Sequence, residues 1–319
     1  MAACTILILT YKGRQHLEFL LPTLRTCIQH YKGDTVFDVL IVDNGCDAAT
    51  RQFAETSFPE YRYSFSEAND FLFSLNTFIR DFSAEYTLLL NDDIRLDKEV
   101  LNELIPMMDA ADESIFAISC KNLDWEGQQT TSAVRTGYYK KGWFYNHYLD
   151  FNETGTKYTL YPSGGSTIFR TRYFNELNGF DPLFRPAYYE DNDLGVRAWQ
   201  NGWKTIYHPP AFVYHREGAS MKDHFKRDRL EQNIYRNQVL CMMKNARHPG
   251  FIFWFCILFP YRLLYNLAVN RNYFFALLRV LREAPSVLLQ RRKMRPLVKD
   301  AAWLPLLNTT YRPGKPIKN

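Results

Sequence analysis

The stretch Leu88-Leu89-Leu90-Asn91-Asp92-Asp93 joins an apolar run to one amide and two carboxylates. The apolar run begins at Tyr86 and is typical of a strand that is buried on both faces of a parallel sheet. Ligands of such sheets bind outside the carboxyl ends of the strands. Hard divalent cations such as Mg²⁺ and Mn²⁺ prefer oxygen ligands beside substrate phosphates. The stretch therefore predicts an α/β fold with a metal-diphosphate site at the end of this strand.

A second acidic cluster, Tyr189-Glu190-Asp191-Asn192-Asp193, comes much later in the chain and is followed by His215. Together the two clusters predict a metal site plus a catalytic base, since one carboxylate can bind a cation while another takes a proton. The aromatic pair Tyr188-Tyr189 indicates a partly closed pocket wall. Two plainer interpretations stay open: a solvated helix start for the cluster, and a structural histidine at His215.

Asp193 closes that cluster, and a structural role is expected for it. It is predicted to cap the helical segment Leu194 to Trp199, because an aspartate at a helix start satisfies free backbone N–H groups.

Strand and helix patterns alternate through the first half of the chain. Strands are predicted at Thr5 to Leu9, Val36 to Val42, Tyr61 to Phe65 and Tyr86 to Leu90. Helices are predicted at Leu17 to Ile28, Ala48 to Thr56 and Phe71 to Phe82. This alternation implies a mostly parallel sheet with helices on both faces.

Polar residues follow the other predicted strands as well. Thr10-Tyr11 ends the first strand, where the tyrosine is a candidate to stack on a base. Asp43-Asn44-Gly45 ends the second strand, and Asp43 is a candidate acceptor for a base or ribose, although the tripeptide is equally typical of a simple turn. The segment Ser163-Gly164-Gly165-Ser166 allows a backbone to approach a ligand closely, or forms a flexible turn. Neither glycine-containing segment matches a P-loop or a dinucleotide fingerprint, so ATP and NAD chemistry are poorly supported.

Composition indicates a globular protein. The 319 residues, 46% hydrophobic and 16% aromatic, allow one large domain or one domain with an appendage. Six scattered cysteines without a CxxC pair argue against a zinc site and a dense disulfide framework, and fit a reducing compartment. The N-terminus has no basic region and only a short apolar run, which we interpret as the first strand rather than a signal peptide.

Charge is divided unevenly along the chain. Residues 1–215 hold 19 Lys and Arg against 28 Asp and Glu, a net of −9, whereas residues 216–319 hold 20 against 6, a net of +14. This asymmetry predicts an acidic catalytic body and a basic appendage that meets phosphates or an anionic membrane surface. A soluble basic helical tail is the alternative.

The basic region also carries long apolar runs. A charged helix is predicted at Lys222 to Lys244, followed by nine consecutive apolar residues at Phe251 to Phe259. A bilayer-spanning helix needs ~20 predominantly apolar residues, so Pro260 and Arg262 favour an interfacial helix over a span. An oligomerisation surface is the other interpretation, and nucleic-acid binding is not expected because no recognition motif accompanies the charge. The end of the chain, Asn308 to Asn319, is predicted to be a loose tail.

Several of these motifs, taken in order, resemble family 2 inverting glycosyltransferases of the GT-A fold. The resemblance covers roughly residues 4–216 and is closest to rhamnosyltransferase-like bacterial members. The motifs that carry it are Leu7-Ile8-Leu9-Thr10-Tyr11-Lys12-Gly13, Val42-Asp43-Asn44-Gly45, Leu88 to Asp93, Ser163 to Ser166, Phe174 to Asp181, Glu190-Asp191, Gly202-Trp203, His208-Pro209 and His215.

The resemblance implies a role for each site residue. Asp93 would coordinate Mn²⁺ or Mg²⁺, with His215 as a further metal ligand, and Asp191 would be the catalytic base. Asn91 stands where the family's Asp-x-Asp motif begins with aspartate, so that position is neutral here. Glu190 and Tyr189 are the expected acceptor-binding residues. The expected donor-binding residues are Thr10, Tyr11, Asp43, Asn69, Asn91, Asp92 and Gly165.

We therefore expect a GT-A catalytic domain at residues 1–216 and a basic, amphipathic helical region at 217–319 that associates with a membrane. The expected activity is metal-dependent, inverting transfer of a sugar from a UDP- or dTDP-sugar, such as dTDP-rhamnose. The expected acceptor is a hydroxyl of a glycan or polyprenyl-linked glycan in surface polysaccharide synthesis, on the inner face of the cell membrane. A non-catalytic sugar-nucleotide or glycan-binding module is the alternative, and nucleotidyl transfer has little support because the chain lacks a basic phosphate-binding loop near its N-terminus.

Overall fold

The computed structural model describes residues 3–67, 69–216 and 227–313. Eleven strands are numbered in chain order: β1 Ala3–Thr10, β2 Val36–Asp43, β3 Arg62–Phe65, β4 Tyr86–Asn91, β5 Ile94–Leu96, β6 Ile115–Leu123, β7 Arg135–Lys140, β8 Trp143–Tyr148, β9 Lys157–Thr159, β10 Ser166–Arg170 and β11 Lys204–His215.

The helices of the described residues are numbered in the same way: α1 Arg14–His30, α2 Ala48–Ser57, α3 Leu75–Arg80, α4 Val100–Asp109, α5 Thr171–Glu176, α6 Glu190–Gln200, α7 Arg227–Asn245, α8 Phe251–Val269, α9 Arg271–Lys293 and α10 Asp300–Trp303. Short 3₁₀ turns lie at Phe71–Ser74, Pro182–Phe184 and Leu304–Leu306. The elements predicted in the first half of the chain are confirmed, with boundaries that shift by one to four residues where the side chains alone do not fix the end.

A nine-stranded sheet forms the centre of the fold, in the order β3-β2-β1-β4-β10-β6-β11-β5 with β9 on β11. Strands β1 to β4 pair in parallel, as their alternation with helices predicts. The second half is mixed, because β10 runs antiparallel to both β4 and β6. The sheet is therefore less uniformly parallel than the sequence pattern of the first half indicates.

Helix α1 illustrates why these segments fold as they do. Its buried residues are Leu17, Leu20, Leu21, Leu24 and Cys27. They recur every three or four positions and so form one apolar stripe along the helix. The stripe packs against residues of β1 and β4 in one of the two main clusters of the core.

Strand directions bring the polar ends together at one edge. Because β1, β2 and β4 are parallel, Thr10, Asp43 and Asn91 all end at this edge. The antiparallel β10 begins there, and its preceding residue Gly165 accepts a hydrogen bond of 2.9 Å from the backbone N–H of Asn91. On the far side, His215 at the end of β11 pairs with Ile94, next to Asp93.

The C-terminal helices differ from one another in burial. The predicted helix Lys222 to Lys244 begins outside the described residues, and from residue 227 onward it forms α7. Helix α7 places Val239, Leu240 and Met243 in the same core cluster as Leu7 and Leu89 of the sheet. This helix therefore shares the core of the central sheet, although it lies beyond residue 216.

Helix α8 is mostly exposed. Among the described residues it is the one helix long and apolar enough to cross a membrane by length and composition, and little of its apolar window is buried. Only Phe251 and Phe255 of this helix are buried. The helix continues through Pro260 without ending.

Candidate functional site

A cleft of about 670 Å³ opens at the carboxyl edge of the sheet. Most of the residues predicted for the site line this cleft: Thr10, Tyr11, Asn69, Asn91, Asp92, Asp93, Gly165, Glu190, Asp191 and His215. The two acidic clusters, which are far apart in sequence, thus face a single cavity. Asp43 and Tyr189 are the two predicted residues that lie outside its lining.

Asp92 is held firmly by its neighbours. Its Oδ2 accepts a hydrogen bond of 2.5 Å from the hydroxyl of Thr10, and its Oδ1 lies 3.2 Å from Nδ1 of His16. The hydrogen bond to Asp92 raises the pKa of His16, and burial raises the pKa of Asp92. Gly13 is required here, because a Cβ at that position would lie 2.1 Å from Asp92 Oδ2. Asp92 therefore ties the β1–α1 turn to the end of β4.

Asp93 has the opposite environment. It is 9% exposed, and its Oδ1 is buried without a hydrogen-bond partner among the described residues. Nε2 of His215 lies 3.2 Å from that oxygen, within ion-pair distance but without hydrogen-bond geometry. A buried carboxylate oxygen without a donor is costly unless a cation or another ligand satisfies it.

The pair suits one shared divalent cation. Two neighbouring ligands of an octahedral ion with bonds of ~2.1 Å stand ~3 Å apart, close to the separation of Asp93 Oδ1 and His215 Nε2. Among the described residues no cluster of three or more His, Cys, Asp or Glu is arranged to hold a metal by itself. The residues present therefore fit a cation that takes its remaining ligands from substrate phosphates and water.

Both carboxylate oxygens of Asp43 accept hydrogen bonds from within the chain. Its Oδ1 accepts from the backbone N–H of Gly45 at 2.7 Å, and its Oδ2 accepts from Asp47 N–H at 2.9 Å and from the hydroxyl of Tyr63 at 2.7 Å. The residue is 0% exposed. This is the simple-turn interpretation of Asp-Asn-Gly, with the aspartate as the anchor of the turn.

The neighbouring amides line the cleft instead. Asn44 donates to the carbonyl of Phe71 at 3.0 Å, and its Oδ1 accepts from Ser74 at 2.9 Å. Asn69 Oδ1 accepts from the backbone N–H of Phe71 at 3.3 Å. These bonds fix the loop that forms one wall of the cleft.

Gly165 contacts the side chain of Asn91 directly. A Cβ at Gly165 would lie 2.3 Å from Asn91 Cγ, so any other residue would displace that side chain. The glycine predicted for close ligand approach therefore makes room first for an amide of the chain itself.

Glu190 and Asp191 form the other wall, in the first turn of α6. Burial, together with the charge of Asp191, raises the pKa of Glu190 to about 8, and Glu190 Oε2 is buried without a partner among the described residues. Burial also raises the pKa of Asp191, while the charge of Arg135 and the amide of Asn192 offset part of the rise. Asn192 donates to Asp191 Oδ1 through its backbone at 2.7 Å and its side chain at 2.9 Å. Asp191 is thus oriented by Asn192 and partly exposed.

Asp193 is structural, as predicted, but it does not cap a helix. Helix α6 already begins at Glu190, so Asp193 lies inside its first turn and is 0% exposed. It accepts from Arg197 Nε at 2.6 Å, from Lys244 Nζ at 2.7 Å and from Asn245 Nδ2 at 2.7 Å. Burial alone would raise the pKa of Asp193, but the charges of Arg197 and Lys244 outweigh it and leave the pKa below its usual value.

The loop before Glu190 has an unfavourable backbone conformation, which hydrogen bonds from helix α7 stabilise. Tyr188 and Tyr189 have φ of 72° and 73°, in the left-handed region that disfavours residues with a side chain. Asn237 of α7 is 0% exposed and donates to the carbonyls of Phe184, Ala187 and Tyr188 at 2.8, 3.0 and 2.8 Å. Nothing in the local sequence indicates this contact, because Asn237 lies in a polar helical segment far from the loop.

Tyr189 itself turns away from the cleft. Its side chain lines a separate small cavity with Asn146, Asn192 and Met242. The structure therefore offers Tyr188, which does line the cleft, as the aromatic residue beside the acidic pair.

Comparison with known proteins agrees with this geometry. The family model described as glycosyltransferase like family 2 matches residues 3–233. The chain is 22% identical over 248 residues to N-acetylglucosaminyl-diphospho-decaprenol L-rhamnosyltransferase of Mycobacterium tuberculosis, a match that covers 67% of this chain and 76% of that protein.

Two solved structures share the fold. The structure of GalNAc-T7 with UDP, GalNAc and Mn²⁺ has a TM-score of 0.58 at 12% identity, over 80% of this chain and half the length of that protein. The structure of S. aureus TarS residues 1–349 with UDP has a TM-score of 0.54 at 15% identity, over 91% of this chain and 89% of that one. At these identities the likeness concerns the fold alone.

Proposed function

The chain belongs to glycosyltransferase family 2 and has the GT-A fold, and from that premise we propose that it performs metal-dependent, inverting sugar transfer. The donor is a nucleoside-diphosphate sugar, and the acceptor is a hydroxyl of a glycan. One observation carries the proposal. A single cleft holds an unsatisfied buried carboxylate beside a histidine on one wall, and an oriented, partly exposed carboxylate on the other.

Asp93 and His215 are the residues that would hold the cation. When bound, Mn²⁺ or Mg²⁺ acts as a Lewis acid that stabilises the charge developing on the departing diphosphate. The imidazole of His215 suits Mn²⁺ somewhat better than Mg²⁺, although affinity alone does not select a metal in the cell. Asp92 stabilises this part of the cleft, because its hydrogen bonds to Thr10 and His16 hold the end of β4 against the β1–α1 turn.

Asp191 is the proposed base. It takes the proton of the acceptor hydroxyl while that oxygen attacks the anomeric carbon from the face opposite the nucleotide. Asn192 fixes the carboxylate through Oδ1, and the nearby charge of Arg135 favours its ionised form. One base is enough for a single displacement, since the nucleoside diphosphate departs as an anion and needs no general acid, and the product is inverted.

The relative from Mycobacterium tuberculosis supports a narrower proposal for the substrates. Its name specifies L-rhamnose and N-acetylglucosaminyl-diphospho-decaprenol. We therefore assign this chain a deoxyhexose donor, with dTDP-rhamnose first and UDP-sugars second, and a polyprenyl-linked glycan acceptor in surface polysaccharide synthesis.

A lipid-linked acceptor requires access to a membrane, and α8 offers it. Large apolar side chains on this helix are exposed, among them Phe253 at 61%, Tyr261 at 64% and Leu264 at 68%. Exposed apolar surface of this extent on a helix marks an interaction site. We place α8 in the headgroup region on the inner face of the cell membrane, which makes the protein peripheral.

Product analysis tests the function. The purified protein is given dTDP-rhamnose or a UDP-sugar, Mn²⁺ and a polyprenyl-diphosphate N-acetylglucosamine, and the product is examined by anomeric NMR. The proposal expects a product of inverted configuration that Asp191→Asn does not form. Retained configuration would contradict the single displacement. Nucleotide binding without transfer from any donor would favour the alternative of a non-catalytic sugar-nucleotide or glycan-binding module.

A further inference from the structure

The β7–β8 hairpin rests its turn on helix α8. Gly142 at the turn contacts the backbone of α8 so closely that a Cβ there would lie 2.3 Å from the backbone nitrogen of Phe255. Arg262 of α8 donates through Nη2 to the carbonyl of Lys141 at 2.9 Å, and its guanidinium lies 4.8 Å from the ring of Trp143. Hairpin and helix are thus one continuous surface.

Three cations gather at this junction. Lys140 is opposite Trp143 in the hairpin register, Lys141 is at the turn, and Arg262 covers Trp143 from the helix. Within the part of the chain that the structure describes, none of the three forms an ion pair with a carboxylate. Nη1 of Arg262 is buried without a hydrogen-bond partner there. Lys140 and Lys141 are exposed and can reach an external anion, while the guanidinium of Arg262 adds positive charge behind them.

The turn also adopts a conformation that lysine disfavours. Lys141 and Gly142 have φ of 48° and 65°, as in the two-residue turns that favour Asn-Gly. A lysine at the first of these positions carries a conformational cost, which points to a use for its charge at this place.

An apolar stripe adjoins the cations. Trp254, Ile257, Tyr261 and Leu264 recur every three or four residues along α8, and all four are exposed. Cations beside such a stripe are typical of a surface that meets lipid headgroups.

The middle of strand β8 in the same hairpin contacts a neighbour of the proposed base. Asn146 donates to Asn192 Oδ1 at 2.7 Å, and Asn192 in turn donates to Asp191. Trp143 and Asn146 are three positions apart on β8, which is ~10 Å along a strand. The same hairpin therefore links the cationic junction, through Asn146 and Asn192, to the residue proposed as the base.

We propose that Lys140, Lys141 and Arg262 bind the diphosphate of a bilayer-anchored isoprenoid acceptor. The isoprenoid lies along the stripe of α8, and the sugar extends beside the hairpin toward Asp191. This inference rests on the proposed function, and it adds a diphosphate-binding site outside the cleft. The donor diphosphate is assigned to a different place, the cleft, beside the cation that Asp93 and His215 would hold.

Vesicle binding tests the site. Phosphatidylcholine vesicles doped with farnesyl diphosphate serve as the probe, and vesicles with phosphatidylglycerol at the same surface charge serve as the comparison. The wild type is expected to prefer the diphosphate vesicles. The double variant Lys140→Gln, Lys141→Gln is expected to bind them more than about tenfold more weakly, since each cation near an anionic surface contributes about 1 kcal/mol. Arg262→Gln is expected to act in the same direction, and Arg262→Lys to restore part of the binding.

The matched control is Arg292→Gln, Lys293→Gln, which removes two exposed charges from the end of α9 and is expected to keep the preference. If this control loses as much binding to the diphosphate vesicles, or if the wild type binds both vesicle types equally, the junction is a general contact for anionic membranes and the proposal is overturned. Inorganic pyrophosphate that binds without vesicles as tightly as the lipid would overturn the role of the isoprenoid. Calorimetry with dTDP and UDP in the presence of Mn²⁺ on the same proteins separates this test from the donor site. Nucleotide binding that a junction variant retains while it loses the vesicle preference supports the junction, and a variant that loses both overturns a diphosphate site separate from the cleft. A wild type that binds neither nucleotide contradicts the proposed function instead.

Discussion

The end of β4 and the start of α6 are both acidic, yet their carboxylates have different hydrogen-bond partners and exposure. At β4, Asp92 is anchored by Thr10 and His16, whereas Asp93 keeps an oxygen without a hydrogen bond. At α6, Asp193 is anchored by three donors, whereas Asp191 remains partly exposed to the cleft. In each region one aspartate holds the fold while the other is available to a ligand.

The two available aspartates also differ, and this difference separates their proposed roles. Asp93 is buried beside a histidine at the end of a strand, an environment that a cation satisfies. Asp191 lies in the first turn of a helix and faces the opening, where a substrate hydroxyl can reach it. Whether an aspartate stabilises the fold or is available to a ligand therefore depends on its local hydrogen bonds, since all four residues are of the same type.

The largest effect is expected from Asp191→Asn. The amide keeps the shape of the side chain but cannot accept the proton, so kcat should fall by about 10²- to 10⁴-fold. Steady-state kinetics and nucleotide calorimetry check this together. Nucleotide affinity should stay within about twofold of wild type, and a variant that retains kcat would remove Asp191 as the base.

Asp193→Ala should act on stability instead. It leaves the buried Arg197 without its carboxylate and Lys244 with Asp181 as its remaining partner, and breaking a buried ion pair typically costs ~3–5 kcal/mol. Urea denaturation is the measurement. The control is Asp93→Asn, which removes an unsatisfied carboxylate and should leave the free energy of unfolding unchanged or raised. An equal loss of stability in both variants would contradict the assignment of Asp193 to stability and of Asp93 to ligand binding.

Asn237→Ala should weaken catalysis through the loop that carries the acidic pair. The variant releases three carbonyls before Glu190, and the misplaced base should lower kcat by about tenfold while the Kd for nucleotide is kept. Asn233→Ala is the matched control, since Asn233 lies one turn earlier on α7, is also buried, and contacts Arg279 rather than the loop. Asn237→Asp fills the same space without donating, so activity retained by that variant would contradict a positioning role.

The smallest effect concerns pH and Glu190. Its pKa in the folded protein, about 8, exceeds the value of an exposed glutamate, so between about pH 4.5 and 8 the folded state binds more protons than the unfolded state. The stability of the metal-free wild type should therefore fall as pH rises through this window. The variant Glu190→Gln lacks the titrating carboxyl group, so its free energy of unfolding should fall less over the same pH range. If Tm changes equally with pH in the wild type and in Glu190→Gln, the pKa of Glu190 is not raised by burial.

The sequence predicted the site better than its surroundings. Apolar runs ending in Asn91-Asp92-Asp93 and in Thr10 fix where parallel strands place polar groups, so the location of the cleft was predictable, and most of the predicted site residues line it. The family resemblance was needed to bring Asp191 and His215 to the same cavity. Which carboxylate would be anchored was not predictable, because Asp92 and Asp93 are identical side chains whose partners come from other elements.

The remaining differences have the same cause. Asp43 and Tyr189 were predicted to contact substrates, but their environments depend on Tyr63, Asp47 and the packing of α7, which sequence proximity does not reveal. The contact of Asn237 with the loop joins residues fifty positions apart, and no periodicity encodes it. Local patterns predict elements and strand ends, whereas hydrogen bonds between elements decide the role of each polar residue.

The most direct test of the account is a calorimetric titration with UDP, dTDP, GDP and CMP, each with and without Mn²⁺. It would be run on the wild type, Asp93→Ala and Asp191→Asn. The account predicts that the wild type binds one nucleotide only when the metal is present, that Asp93→Ala loses this binding, and that Asp191→Asn keeps it. Nucleotide binding that is independent of Mn²⁺, or that survives in Asp93→Ala, would contradict the assignment of the two acidic regions to metal and base.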